Sequence, residues 1–364
     1  MPGVYLSYPF CAQKCTFCNF ASGVRPRELE DHYHAALLAE LRAAEWQWPP
    51  ETVYLGGGTP SAMEPQRLSE LLAAIPGAPW REATIECAPG GLNAERIQGW
   101  RESDISRVSL GVQSFIDGEL RRTGRRHNAA VVEAEVALLR ANGISNFNID
   151  LIAGLPGQTE ESWAESLQWV ARLMPPHVSV YMLEVDDESR LGNEIMLGGK
   201  RYGAPDVPSD ESTAAMYETA VDTLEQMGIA RYEISNFARP GCESVHNLKY
   251  WRSEPYVGFG ADAHSFDGAH RWQNTEDAAD YVAEQRANVR PEKTSADAAE
   301  EKFFLGLRLS HGVATDGADW ARNRATFERF LEAGLLEQHG NTIRLTRRGV
   351  LYSNEVFQEF LGAG

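Results

Sequence analysis

Three cysteines, Cys11, Cys15 and Cys18, stand in a C-x3-C-x2-C spacing directly behind the apolar run Val4–Tyr8. Three thiolates can hold three irons of a four-iron cluster, leaving the fourth iron open to a ligand that will react. A structural zinc would want a fourth cysteine or a histidine. The nearest histidines, His32 and His34, fall on a predicted helix, and Cys87 and Cys242 are far along the chain. A thiol–disulfide pair would use Cys15 and Cys18 and leave Cys11 idle. Gln13, Lys14 and Asn19 make the loop too polar for three inert buried thiols. An iron–sulfur centre is the leading reading, with zinc or a redox pair as the others.

A second feature is Gly56-Gly57-Gly58-Thr59-Pro60, which follows the apolar run Thr52–Leu55. Glycines let a ligand approach the backbone and reach its N–H donors. A dinucleotide fingerprint is excluded, because Ser61 stands where its last glycine belongs and Pro60 interrupts the turn. The plain alternative is a tight turn between a strand and a helix. A third feature is Ser244-Val-His246-Asn-Leu-Lys-Tyr250-Trp251. Neutral imidazole is a common metal ligand, and Tyr250 and Trp251 offer flat aromatic faces. The same residues could simply pack, with His246 hydrogen-bonded to backbone.

Alternating elements must position these groups. Strands are predicted at Val4–Tyr8, Thr52–Leu55, Ala83–Cys87, Arg107–Val112, Asn146–Ile152, Val178–Leu183 and Arg231–Ile234. Several read as short apolar runs buried on both faces of a parallel sheet. Helices are predicted between them, at Pro65–Ala74, Ala94–Arg101, Ala129–Ala141, Glu160–Leu173 and Ser209–Met227. Leu29, Tyr33, Leu37 and Leu41 mark the buried stripe of another. This rhythm predicts an α/β fold, a partial TIM-like (βα) barrel, with its chemistry on the loops after the strands. It fades after Phe266. A small winged-helix-like α/β domain is expected at the C-terminus, with a hairpin over Leu336–Leu345. The expected division is a barrel over 1–266, whose stretch 236–266 carries the His246 motif, a connecting segment over 267–295, and a C-terminal domain over 296–364.

The 364 residues are 43% hydrophobic, enough for a substantial core, and the net charge is −18. That balance argues against nucleic acid or an anionic membrane as a partner. Five cysteines do not make a disulfide scaffold, and no run reaches the length of a membrane span. The reading is a cytoplasmic protein whose thiols stay reduced.

The cysteine loop after the first strand and the GGGTP turn after the second resemble the radical S-adenosylmethionine (SAM) superfamily. The resemblance implies a 4Fe-4S cluster on Cys11, Cys15 and Cys18, with SAM chelating the fourth iron. One electron, from a donor such as flavodoxin or ferredoxin, would cleave SAM to methionine and a deoxyadenosyl radical. It also implies that Gly56, Gly57, Gly58 and Thr59 receive the SAM amino group and that Phe17 contacts the adenine. The match narrows with Tyr5-Leu-Ser-Tyr-Pro-Phe-Cys11, Ile85-Glu86-Cys-Ala-Pro89, Ser109-Leu-Gly-Val-Gln113-Ser-Phe115, Gly124-Arg125-Arg-His127 and Asn148-Ile-Asp150-Leu-Ile-Ala-Gly-Leu-Pro-Gly-Gln158. These are similar to the oxygen-independent coproporphyrinogen III oxidase family and its close relatives, over most of Tyr5–Phe266. By that likeness Tyr5, Glu86, Gln113, Arg125 and Asp150 would join the SAM site. The chemistry agrees: a carboxylate ending an apolar strand is costly unless it meets a partner such as a ribose diol, and Arg125 suits a carboxylate. A core ion pair is the other reading for Glu86 and Asp150.

Two departures from the oxidase matter. Phe20 stands where the oxidase has a further cysteine, and only a few residues precede Val4. Both match the heme chaperone branch, as does H-N-x-x-Y-W at His246, Tyr250 and Trp251. The implied function is to bind heme and hand it to acceptor proteins. A SAM-dependent tetrapyrrole enzyme, whether the oxidative decarboxylase or a heme-degrading relative, is the second hypothesis. A non-catalytic scaffold with zinc on the cysteines is the third. No enzyme activity follows from the residues alone.

Overall fold

The computed structural model describes residues 2–361. Six parallel strands follow in chain order: β1 (Gly3–Tyr8), β2 (Thr52–Gly57), β3 (Glu82–Cys87), β4 (Arg107–Gln113), β5 (Phe147–Ala153) and β6 (His177–Met182). Each pairs with the next, so every crossover is a single step. The crossovers hold α1 (Arg27–Ala43), α2 (Pro65–Ala73), α3 (Ala94–Glu102), α4 (Asp117–Arg122), α5 (Ala129–Ala141) and α6 (Glu160–Leu173). Strands β1 and β6 do not pair with each other, so the barrel is partial.

The local chemistry explains these boundaries. Asn93 and Asn128 cap α3 and α5 through their side chains, and Thr159 forms a reciprocal capping box with Ser162 at the start of α6. Tyr33, Leu37 and Leu41 are buried along α1.

The strands are not apolar on both faces as expected; they alternate. Val53, Leu55, Ala83, Ile85, Val108, Leu110, Ile149, Val178 and Val180 are fully buried on one face, in the hydrophobic core. The opposite face carries Tyr5, Thr52, Tyr54, Glu82, Thr84, Glu86, Ser109, Asn148, Asp150, His177 and Ser179. The register sets these side by side: Tyr5 beside Tyr54, Glu86 beside Ser109, Ser109 beside Asn148, Asp150 beside Ser179. The concave face of the barrel is therefore a hydrogen-bonding surface.

Two further expectations are corrected. The seventh strand, expected at Arg231–Ile234, shrinks to β7 (Ala230–Arg231), antiparallel to β8 (Asn236–Ala238), which itself lies antiparallel on β6. The crossover before it holds α7 (Arg190–Met196) and α8 (Asp210–Gln226). After β8 come α9 (Val245–Trp251) and β9 (Tyr256–Phe259), which pairs parallel with the free edge of β1. The segment 267–295 is more than a connector. It holds β11 (His270–Gln273) and β12 (Thr294–Ser295), which extend the sheet beyond β10 (His264–Phe266), and its helix α10 (Ala278–Ala287) lies on α1. Beyond it stand α11 (Ala298–Gly306), β13 (Val313–Ala314), α12 (Gly317–Glu332) and the hairpin β14 (Leu336–His339) and β15 (Thr342–Leu345), followed by two short helices. No helix among the described residues is long and apolar enough to cross a membrane.

Candidate cluster and cofactor site

The cysteine loop leaves the end of β1 and returns at Gly23. Cys11 N–H donates to Gly23 O at 2.9 Å, and Gly23 N–H donates to Pro9 O at 3.0 Å. Thr16 pins the middle of the loop: its N–H donates to Thr123 O at 3.2 Å, and its carbonyl accepts from Leu191 N–H at 2.8 Å. All three cysteines are free and partly exposed. Burial pushes the Cys18 thiol up. Among the described residues no three His, Cys, Asp or Glu side chains converge on the position of one metal ion. Ligands of one zinc must approach within about 4 Å of each other.

The glycine turn roots this loop. Gly58 N–H donates to Tyr8 O at 2.8 Å and Thr59 N–H donates to Phe10 O at 2.9 Å. A Cβ on Gly58 would come within 2.6 Å of Phe10 O, so only glycine fits under the loop. Gly57, at φ +105°, donates its N–H to Glu86 Oε2 at 3.2 Å. The expectation that this turn offers N–H donors is thereby corrected: those of Gly57, Gly58 and Thr59 are already used. An ammonium group, which donates, needs carbonyl oxygens instead.

A cavity of about 120 Å³ lies between the turn and the loop, lined by Tyr5, Ser7, Phe20, Gly57, Glu86 and Asp262 among others. Tyr5 stacks on Tyr54 with ring centroids 6.0 Å apart, and Tyr54 Oη donates to Glu86 Oε1 at 3.0 Å. Burial first, and the nearby Asp150 second, raise the Glu86 carboxyl to about 7. Asp150 is also pushed up by burial, against hydrogen bonds from Ser109 Oγ at 3.2 Å and Asn148 Nδ2 at 2.6 Å. Glu86 on β3 and Asp150 on β5, with β4 between them, thus carry buried carboxyls held above their ordinary range. Gln113 sits at φ +69° where the β4–β5 register slips, a strained backbone for a residue with a side chain. Its Nε2 and the Arg125 guanidinium both approach Gly111, and Arg125 donates to Gly111 O at 2.8 Å. Arg125 Nε is buried with no hydrogen-bond partner, a donor left for an incoming acceptor. Phe17 is half-buried between Cys15 and Cys18, outside the lining of the cavity.

Sequence reasoning missed the supports: Tyr54, Ser109, Asn148 and Ser179. Their signal was present as polar residues at every second strand position.

The predicted heme residues lie elsewhere. His246 is fully buried beside the first residues of the strands, not their ends. Its Nδ1 exchanges a 2.8 Å hydrogen bond with Thr52 Oγ1, and its Nε2 another with Tyr250 Oη at 2.8 Å. Burial drives its pKa down to about 3, so the ring is neutral. Glu82 fixes the start of α9, accepting from the N–H groups of Val245 at 3.1 Å and His246 at 2.9 Å. Both ring nitrogens are engaged, so this arrangement offers no atom to iron. Thr52 and Gly57 are the two ends of β2, about 16 Å apart along the strand, which puts His246 across the barrel from the cysteines.

The radical SAM superfamily model matches residues 5–170, and the HemN C-terminal domain model matches 294–352. The heme chaperone HemW of Bacillus subtilis is 34% identical, with all of both chains covered. The chain belongs to the HemW family. The HemW of Mycobacterium tuberculosis is 34% identical over 99% of this chain and 95% of its own. That of Escherichia coli is 29% identical over 98% and 97%. The HemN coproporphyrinogen III oxidase of Escherichia coli shares the fold, with a TM-score of 0.84 over 99% of this chain and 90% of its own at 22% identity. Membership of this radical SAM family implies a 4Fe-4S cluster and SAM as cofactors. The C-terminal match covers α11, the hairpin and the residues between.

Proposed function

We propose that this protein binds heme and delivers it to acceptor proteins, on a barrel that holds a 4Fe-4S cluster and SAM. The observation that carries this reading is full-length identity of 34% to curated heme chaperones. In the proposed site Cys11, Cys15 and Cys18 ligate the cluster. Glu86 and Asp150 accept from the ribose hydroxyls, Arg125 and Gln113 bind the methionine end, and Tyr5 and Phe17 flank the nucleoside. When bound and reduced, the cluster supplies one electron to the SAM sulfonium. A donor such as flavodoxin or ferredoxin would provide that electron. Phe20 supports a chaperone over the oxidase, because it removes the oxidase's extra cysteine. The barrel over 1–266 and the C-terminal domain over 296–364 are proposed as the working units, with cytoplasmic residence.

The experiment is anaerobic reconstitution followed by hemin titration and transfer to an apo-hemoprotein. Stoichiometric uptake and transfer are expected, with no decarboxylation of coproporphyrinogen III. Decarboxylation without heme uptake would replace this reading with the oxidase.

A further inference from the structure

The chain has 34 basic residues against 52 acidic ones, so a group of cations gathered at one place on its surface runs against the general charge. Such a group surrounds the cysteine loop. Lys14 lies in the loop itself, between Cys11 and Cys15. Arg121 and Arg122 end α4, and Thr16 of the loop donates its Oγ1 hydrogen to Arg122 O at 3.4 Å. Arg190 opens α7 and donates to Lys14 O. Its guanidinium lies 5.5 Å from the ring centre of Tyr202. Tyr202 closes the circuit: with Gly118, Arg121, Arg122 and Gly203 it lines a surface cavity of about 430 Å³. The four cations are therefore joined, contact by contact, to one another and to the loop that carries the thiols.

Their charges are not cancelled where they stand. Lys14 Nζ donates to Phe20 O at 2.9 Å, Arg122 to Pro156 O at 3.3 Å and Arg190 to Lys14 O. Each of these partners is a neutral backbone carbonyl, which fixes the side chain and leaves its charge in place. Arg121 has a carboxylate in reach, Asp117 at 3.9 Å, in an exposed pair of a kind that contributes little. Asp186, on the other side of the loop, is engaged by Asn19 Nδ2 at 2.9 Å and by the Glu188 N–H at 2.7 Å. Asp187 and Glu188 follow it, exposed, and form the acidic border of this face.

We propose that this face docks an acidic one-electron carrier protein, which reduces the cluster held by Cys11, Cys15 and Cys18. The proposal rests on the cluster-bearing reading given above. Opposite charge steers an acidic protein to this face on a chain whose net charge repels it. It also seats the carrier against the loop that holds the thiolates. Carboxylates of the carrier meet the forked donors of Arg121, Arg122 and Arg190, and Tyr202 supplies a flat wall beside them. One electron leaves the carrier and one enters the cluster; no bond forms or breaks and no proton moves.

The test uses an acidic flavodoxin and the reconstituted full chain as wild type, Arg121→Glu and Arg324→Glu. The two arginines are matched. Their side chains are 72% and 65% exposed, and each has a carboxylate one helical turn away, at 3.9 Å and 3.4 Å. The change in net charge is the same, but Arg324 lies on α12. Binding of the oxidised flavodoxin is read by calorimetry, and cluster reduction by the reduced form as stopped-flow bleaching. At low ionic strength Arg121→Glu should weaken binding and slow reduction by about tenfold each. Arg324→Glu should change either by less than about twofold, and the gap between the variants should close as salt is raised. Photoreduced deazariboflavin, small and uncharged, should reduce all three proteins at one rate. Equal losses in the two variants overturn the site, as does a wild type that does not bind the flavodoxin. Slower reduction of Arg121→Glu by deazariboflavin also overturns it, because the change then acts on the cluster itself. Unchanged flavodoxin binding with impaired heme transfer would give this face to the heme acceptor and overturn the proposal. A chain that assembles no cluster overturns the reading of the cysteines instead, and binding of the oxidised flavodoxin still decides the docking face.

Discussion

The two ends of one barrel treat the same residue types in opposite ways. At the floor, His246 has a partner on each nitrogen, and Glu82 accepts from a helix terminus. At the mouth, Glu86 is raised by burial and by Asp150, Asp150 is raised by burial, Arg125 keeps a buried donor unpaired, and three thiols stand free. Folding has paired both nitrogens of His246 at the floor and left the Arg125 Nε at the mouth without a partner. A buried polar group without a partner costs on the order of 1–3 kcal/mol, so such a group marks where a ligand contributes what the chain does not. Chemical suitability of a side chain is thus a weaker guide to a site than whether its hydrogen bonds are already made.

The sharpest way to break this contrast is to remove a thiol. Cys15→Ser should take iron from about four per chain to near zero after anaerobic reconstitution, with loss of the brown absorbance. The far-ultraviolet circular dichroism should be unchanged, because the loop is held by backbone bonds of Thr16 and Gly23 rather than by sulfur. Retention of four irons would remove Cys15 from the ligand set.

At the floor the same logic predicts a fold effect and no ligand effect. His246→Ala leaves a cavity and strips Thr52 and Tyr250 of their partner, costing about 3 kcal/mol of stability. Hemin affinity should stay within about twofold. The pH dependence carries a further signature. His246 is held near 3 in the folded chain against about 6.5 unfolded. The folded state therefore binds fewer protons than the unfolded one. Stability from this group is complete above pH 6.5 and is lost as pH falls toward 3. Denaturant titrations across that window should show a shallower acid limb in the variant. A large loss of heme binding with full stability would return His246 to the role of iron ligand.

The Glu86 carboxyl runs the other way. Raised to about 7 by burial and by Asp150, it takes up a proton on folding below that pH. Its ionised form costs about 3 kcal/mol above pH 7, and the cost is relieved as pH falls from 7 toward 4.5. If it accepts hydrogen bonds from SAM, binding needs the ionised form. SAM affinity should then fall by up to about tenfold per pH unit below 7, and Glu86→Gln should abolish that slope. Calorimetric titration at several pH values checks this; a pH-independent wild-type affinity would place the diol elsewhere.

Much of this was legible in the sequence. Six strands, the helices between them and the capping at Thr159 follow from apolar period and local side-chain chemistry, which act within a few residues. The cysteines and the glycine turn are likewise local. The polar concave face was missed because Val53, Ile85 and Val178 dominate their runs, while Thr52, Thr84 and Ser179 look like ordinary strand residues until the register lines them up. The position of His246 was not legible for a different reason. Its motif says what α9 carries, but only the return of the chain under β1 and β2 says which end of the barrel receives it.

The smallest effect separates a satisfied floor from a merely crowded one. Thr52→Val keeps the shape of the side chain and removes Oγ1, so His246 Nδ1 loses its partner. Alone it should cost about 1 kcal/mol. In the His246→Ala background the hydroxyl has no imidazole to bond, so the same change should cost almost nothing or stabilise slightly. The double variant should therefore be more stable than the sum of the two losses predicts, by close to the full cost of Thr52→Val. Strict additivity would mean that the 2.8 Å contact carries no energy and that packing alone holds α9 in place. SAM and hemin affinities should be the same in all four proteins, because the hydrogen bonds that change lie at the end of β2 remote from both ligands.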